Sequence, residues 1–193
     1  MDCAGEKSVR RAAVVLVTGG ARSGKSAFAE ELSRRSGRER VYLATAEAGD
    51  DEMARRIARH RADRGAGWHT VEAPLALAQA IAAEARPGRV VLVDCLTLWL
   101  SNLMMAERDI AAESAGLVAV LAGAAAPVIL VSNEIGLGLV PQTPLGRRFR
   151  DAQGRLNQAV AAAASDVIFV AAGQPLRLKP APAVSVDWGG PGA

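Results

Sequence analysis

The chain has 193 residues, half of them hydrophobic, 22% charged and only 4% aromatic. That length suits one ordinary domain with a sizeable core, and the composition excludes wholesale disorder. Lys plus Arg is 23 and Asp plus Glu is 20, a net charge of +3; so small an excess, with so few aromatics, argues against nucleic acid as the main partner and suits an anionic small molecule.

In chain order, residues 1–11 read as a flexible start with no apolar leader segment. The first apolar run is too short to span a bilayer, so neither secretion nor membrane insertion is expected. Cys3 and Cys95 form no ligand pattern and no disulfide framework, which fits a cytoplasmic protein. Strands are expected at Ala13–Thr18, Arg40–Thr45, Arg89–Asp94, Pro127–Ser132 and Asp166–Ala171. Four of these are almost continuously apolar, as strands covered on both faces of a parallel sheet are. His69–Ala73 reads as a weaker, edge strand. Helices are expected at Gly24–Ser36, Asp50–Arg64, Leu75–Ala85 after Pro74, Thr97–Glu107, Ala111–Ala125 and Pro144–Ala164. The fourth and fifth read equally well as one broken helix. The last places Leu145, Phe149, Ala152, Leu156, Ala159 and Val160 at helical spacing. The tail, residues 180–193, is Pro- and Gly-rich and reads as disordered, leaving 12–179 as a single domain. Alternating strands and helices predict a three-layer α/β/α fold with a mostly parallel sheet, and ligands then bind at the carboxyl ends of the strands.

The strongest motif lies at such an end. Gly19-Gly20-Ala21-Arg22-Ser23-Gly24-Lys25-Ser26 fits G-x-x-x-x-G-K-[ST] between a strand and a helix. Its glycines let backbone N–H groups converge on phosphate oxygens, and the helix start adds partial positive charge. Lys25 is placed to reach the β- and γ-phosphates, and the Ser26 hydroxyl to ligate Mg²⁺. The loop indicates a nucleoside triphosphate and a P-loop NTPase-like fold. Asp94, closing a buried strand, reads as the acid near the magnesium; the competing reading is a strand-end or helix-capping aspartate.

His60 sits four residues from both Arg56 and Arg64, on one helical face. Arginines there would hold phosphates and keep the imidazole neutral, the form a nucleophile needs; the plainer reading is a solvated, salt-bridged helix, which composition alone favours. His69 reads as an edge or packing residue, and Glu72 either as a carboxylate facing the ligand or as a solvated one.

Taken together, these blocks resemble the bifunctional adenosylcobinamide kinase / adenosylcobinamide-phosphate guanylyltransferase family. The resemblance is carried by LVTGGARSGKS (Leu16–Ser26), VYLATA (Val41–Ala46), DDEMARRIARHRADR (Asp50–Arg64), W-x-T-x-E-x-P (Trp68–Pro74), LVDCLTLWLSNLM (Leu92–Met104) and VSNEIGLGLVPQTPLGRRFRDAQGRLNQ (Val131–Gln158). They span nearly everything from residue 14 to about 179. The resemblance implies two reactions of cobalamin assembly. ATP or GTP phosphorylates the aminopropanol hydroxyl of adenosylcobinamide, and GTP then transfers GMP to that phosphate through a GMP–histidine, releasing pyrophosphate. The histidine of R-I-x-x-H falls on His60. Nucleotide contacts fall on Gly19–Ser26, on Ala44, Thr45 and Ala46, on His60, Arg61, Ala62 and Asp63, on Glu72 and on Asp94. Family members often carry serine at Ala46 and proline at Gly65. A homo-oligomer is also implied, a trimer being one form it could take. Asn133 and Glu134 read either as contacts to magnesium or corrinoid or as a capped turn. Arg147, Arg148 and Arg150 read as contacts to phosphate or a neighbouring subunit, or as a solvated helix face. The competing functions are a single-activity P-loop kinase or guanylyltransferase, a nucleotide-binding regulatory module, and a nucleic-acid-dependent ATPase.

Overall fold

A computed structural model describes residues 12–47, 55, 58, 62 and 64–181. The expectations for residues 1–11 and for the tail from 182 onward, Cys3 included, lie outside the described residues. So does most of the expected helix over 50–64, of which Arg55, Ala58, Ala62 and Arg64 are described and helical.

Among the described residues, seven strands form one sheet: β1 (Val14–Gly19), β2 (Glu39–Ala44), β3 (Trp68–Glu72), β4 (Arg89–Asp94), β5 (Val128–Asn133), β6 (Asp166–Ala171) and β7 (Gln174–Lys179). Their order across the sheet is β3-β2-β4-β5-β1-β6-β7. Every pairing is parallel except β6 with β7. The expected strands are all present within a residue of their bounds, and the weak third strand is an edge. β7 was not expected: its sequence, QPLRLK, holds a proline and alternates with charge. It pairs only on its β6 side and lies largely exposed, so it never needed an apolar pattern.

Among the described residues, the helices with full bounds that cover the sheet are α1 (Lys25–Arg35), α2 (Leu77–Glu84), α3 (Leu96–Met105), α4 (Ile110–Ala122) and α5 (Pro144–Ala163). The two faces of the strands alternate strictly. Leu16, Val41, Leu43, Val91, Val93, Val128 and Leu130 point to one side and pack with α2, α3, α4 and α5. Val15, Val17, Tyr42, Val90, Leu92, Ile129 and Val131 point to the other and pack with Phe28, Ala29 and Leu32 of α1. α3 and α4 are separate helices. The Asp109 carboxylate accepts from the N–H groups of Ala111 and Ala112 and starts α4 afresh. Pro74 is not the first residue of α2; the helix begins at Leu77, after Ala76.

α5 departs from its expected apolar stripe. Leu145 is exposed, whereas Gln153 and Asn157 are buried. Their side chains bond to each other and to Ser132 Oγ at 2.6–2.9 Å, and Asn157 Nδ2 donates to the Asn133 carbonyl at 3.1 Å. These bonds fix the helix against the end of β5, with Gln153 Oε1 left unpartnered among the described residues.

Trp99 of α3 is fully buried and donates from Nε1 to the Leu75 carbonyl at 2.9 Å. It therefore fills the core and also ties down the turn before α2. Trp99→Ala is expected to cost about 3–5 kcal/mol of stability, read as a lower urea midpoint at unchanged denaturant dependence.

Candidate nucleotide-binding site

The site gathers at the carboxyl ends of β1, β2 and β4. β1 is buried along its whole length and ends at Gly19, where the phosphate loop begins. A Cβ at Gly19 would overlap the Val170 carbonyl oxygen of β6. Gly24 has φ +95°, and a Cβ there would lie 3.2 Å from Gly173 Cα in the β6–β7 turn. That turn is tied to the loop by Gly173 N–H donating to the Ser23 carbonyl at 2.8 Å. Arg22 also takes a left-handed φ of 57°. The loop is thus clamped by the neighbouring strand and turn. Ser23 is buried with its hydroxyl unpartnered among the described residues, Ala21 and Arg22 are exposed, and Ser26 is half-buried. Lys25 is buried and its ammonium donates to the Gly20 carbonyl at 3.0 Å, so it arches over the loop it belongs to.

β5 lies between β1 and β4, with Val17 and Asp94 both registered on Val131. Asp94 therefore stands two strand spacings, about 10 Å, from Val17, two residues before the phosphate loop begins. The Asp94 charge is felt by three neighbours: it raises the pKa of the Cys95 thiol, the Tyr42 hydroxyl and the Glu30 carboxyl of α1. In each of these, burial is the larger cause. Lys25 acts on Cys95 in the opposite sense and more weakly. α3 starts from Cys95 without a side-chain cap, one residue beyond Asp94.

Thr45 latches the end of β2 to the end of β4. Its hydroxyl donates to the Cys95 carbonyl and accepts from the Cys95 N–H, both at 2.7 Å, across the cis Asp94–Cys95 peptide bond. Asn102 Nδ2 donates to the carbonyls of Thr45 and Pro74 at 2.7 and 3.1 Å. The Thr45 hydroxyl is thus committed to Cys95, and Ala44 and Ala46 on either side of it are half-buried. Glu72 is exposed at the end of edge strand β3, in register with Ala44. His69 is exposed on the same strand.

His60, Arg61 and Asp63 lie outside the described residues; Ala62 is helical and exposed. Arg64 differs from its expected role beside the phosphates. It is buried, its guanidinium lies 3.4 Å from the centre of the Tyr42 ring, and Nη2 donates to Thr70 Oγ1 at 3.4 Å. Tyr42 meets Trp68 edge-on, and Arg40 covers the Trp68 ring. Stacked on an aromatic face and desolvated, Arg64 holds its segment to β2 and β3. The pattern R-x-x-x-H-x-x-x-R gave no hint of this, because the stack depends on β2 and β3 lying side by side.

Asn133 N–H donates to Thr97 Oγ1, and Glu134 Oε1 accepts from the Gly136 N–H at 2.7 Å, so this stretch forms a capped turn. Arg147 donates to the carbonyls of Pro141 and Gln142, Arg150 pairs with Asp151, and Arg148 is exposed.

A phosphate loop closing the first of a set of buried parallel strands, with an acid at the end of a second, defines a P-loop nucleotide-binding α/β protein. The fold is shared with the RadB recombinase, at a TM-score of 0.50 and 17% identity, over 81% of this chain and 73% of that one. The sequence matches the family described as "Cobinamide kinase / cobinamide phosphate guanyltransferase" over residues 15–178, and the chain belongs to that family. It is 51% identical over 169 residues to the bifunctional adenosylcobalamin biosynthesis protein CobP of Pseudomonas aeruginosa, covering 86% of this chain and 98% of that protein. It is 42% identical over 181 residues to the bifunctional adenosylcobalamin biosynthesis protein CobU of Escherichia coli, covering 86% and 99%.

Two outcomes test this geometry. Gly24→Ala forces an alanine into a left-handed backbone against Gly173 and is expected to weaken nucleotide binding by about one to two orders of magnitude in a fluorescent-nucleotide titration. Gly154→Ala, in the middle of α5 with open space around it, should leave that affinity unchanged.

The Cys95 thiol is pushed up to about 11 from an ordinary value of 9.0, by burial first and then by Asp94. Below the ordinary value the thiol is neutral folded or unfolded. Above it the unfolded chain ionises while the folded chain keeps its proton, so stability falls as pH rises from about 9 and levels off above about 11. In a Cys3→Ser protein with EDTA, the urea midpoint should drop from pH 8 to pH 10. Cys95→Ala should remove that part of the drop.

Proposed function

We propose that this chain carries out both reactions of its family: it phosphorylates the aminopropanol hydroxyl of adenosylcobinamide, using ATP or GTP, and then transfers GMP from GTP to the resulting phosphate. The observation that carries the reading is that the match to bifunctional relatives runs from residue 15 to residue 178 and includes a fully formed phosphate loop.

In the kinase step, the hydroxyl oxygen of the corrinoid side chain forms a bond to the γ-phosphorus. The bond from that phosphorus to the β–γ bridging oxygen breaks, and the hydroxyl proton leaves to solvent or to a base. Lys25 and the converging N–H groups of Gly19–Ser26 offset the charge that builds on the phosphate oxygens. In the transfer step, a ring nitrogen of His60 bonds to the α-phosphorus of GTP and pyrophosphate departs. An oxygen of adenosylcobinamide phosphate then attacks the same phosphorus, the N–P bond breaks, and the histidine is restored. The products are adenosylcobinamide-GDP and pyrophosphate. The His60 assignment rests on the R-I-x-x-H pattern, since His60 lies outside the described residues.

Ser26 and Asp94 would hold Mg²⁺. Both offer hard oxygen donors, and among the described residues no group of three or more His, Cys, Asp or Glu side chains gathers into a metal cage. A sparse donor set of this kind suits an ion that keeps waters and phosphate oxygens as its other ligands. When bound it supplies positive charge to the phosphate oxygens. Among the described residues no helix is long and apolar enough to cross a membrane. The same reading makes the enzyme a cytoplasmic homo-oligomer, with a trimer as the form for sedimentation to test.

The deciding experiment uses GTP labelled on the α-phosphate, with Mg²⁺ and without corrinoid, followed by denaturation. Wild type is expected to keep an acid-labile, base-stable label and His60→Ala to keep none. Binding of GTP by wild type without any retained label would sink the histidine mechanism and leave a kinase or a nucleotide-binding module.

A further inference from the structure

The segment between β5 and α5, residues 134–143, departs from the sheet directly beside the phosphate loop: Glu134 N–H donates to the Gly19 carbonyl at 3.0 Å. Its shape is held from within. Glu134 Oε1 accepts from Gly136 N–H, Thr143 Oγ1 accepts from Gly146 N–H, and Arg147 Nη1 donates to the carbonyls of Pro141 and Gln142 at 3.0 and 2.7 Å. Yet this well-fastened loop turns its apolar side chains outward. Leu137 is 81% exposed, Leu139 96% and Val140 65%, with Leu145 exposed in the first turn of α5. Scattered apolar side chains on a surface need no explanation. A run of them on one braced loop, beside a ligand site, marks a contact surface.

We infer that Leu137, Leu139 and Val140 form the surface on which the corrin ring of adenosylcobinamide rests while its side-chain hydroxyl reaches the phosphates. This rests on the reading given under Proposed function and adds to it the location of the second substrate. The argument is one of position and chemistry. The acceptor hydroxyl must meet the γ-phosphorus, so the rest of the substrate must lie at the carboxyl rim, just outside the phosphate loop. A corrinoid presents a broad ring whose edge carries methyl groups among acetamide and propionamide arms, and those methyl groups and the ring faces are met by apolar side chains. The loop offers that contact at the rim, joined to Gly19 by a hydrogen bond. A second copy of this chain is the other possible occupant. It has a separate surface to use in the open edge of β7, where Leu176 and Leu178 are exposed.

The test is the double variant Leu137→Ser/Leu139→Ser, compared with wild type in the kinase reaction, in the GTP labelling reaction and by sedimentation. Both positions are exposed, so the core is untouched. The KM for adenosylcobinamide is expected to rise about tenfold or more. The KM for ATP and the extent of histidine labelling, neither of which involves the corrin ring, should match wild type. A corrinoid KM within about twofold of wild type would overturn the inference, because the loss of two apolar contacts should exceed that. A variant that sediments as a smaller species than wild type would also overturn it, since the loop would then be covered by another copy. Labelling by wild type without any corrinoid phosphorylation would instead remove the kinase step, and this inference with it.

Discussion

All six residues of β1 are buried, and a strand with no solvent face has to be covered above and below and flanked on both sides. β5 and β6 supply the flanks, α1 covers one face, and α5 and its neighbouring helices cover the other. The phosphate loop inherits its rigidity from this burial. At the point where β1 stops, Gly19 lies so close to the Val170 carbonyl that no side chain fits, and the β6–β7 turn closes on Ser23 and Gly24. The chain must turn sharply there, and Ser23 N–H donates back to the Gly20 carbonyl across the turn at 3.3 Å. A backbone clamped in this way limits the reorganisation needed when charge builds on a bound phosphate.

The other side of the site is held by polar latches rather than by apolar packing. Thr45 grips both ends of the Cys95 backbone, Asn102 reaches back to Thr45 and Pro74, and Trp99 fastens Leu75. These bonds join the ends of β2, β3 and β4 through a single helix, α3. Behind β5, Ser132, Gln153 and Asn157 do the same for the end next to the phosphate loop. Each latch is made by a side chain with no catalytic chemistry of its own. Such networks specify one arrangement because leaving any member unpaired in the interior is costly. The strand ends are consequently set at fixed separations, and Asp94 keeps its place two strands from the loop.

Sequence and structure agree most closely where burial on two faces imposes a continuous apolar run, as in RVVLVD and VILVSN. They part where an element is stabilised by something other than apolar periodicity. β7 was hidden because an edge strand needs one partner's backbone and little else. In α5 the polar residues Gln153 and Asn157 took buried positions and Leu145 was left outside, which inverts the usual ranking. Arg64 was grouped with the phosphates by its spacing from His60, and its actual partners are Tyr42 and Thr70, which are adjacent only because β2 and β3 pair in register.

The sequence by itself determined the fold class, the phosphate loop and its ligand, and the family, because each of these is written in short-range patterns: strand, glycine turn, lysine, helix start. The tertiary structure alone decided which residues stand around that loop. The order β2-β4-β5-β1 sets Asp94 two strands from β1, commits Thr45 to Cys95, and brings the outward-facing leucines of residues 134–143 to the rim beside Gly19. These are contacts between residues far apart in the chain. They follow from strand order and register, which depend on how every buried face finds its cover and cannot be read from any one segment.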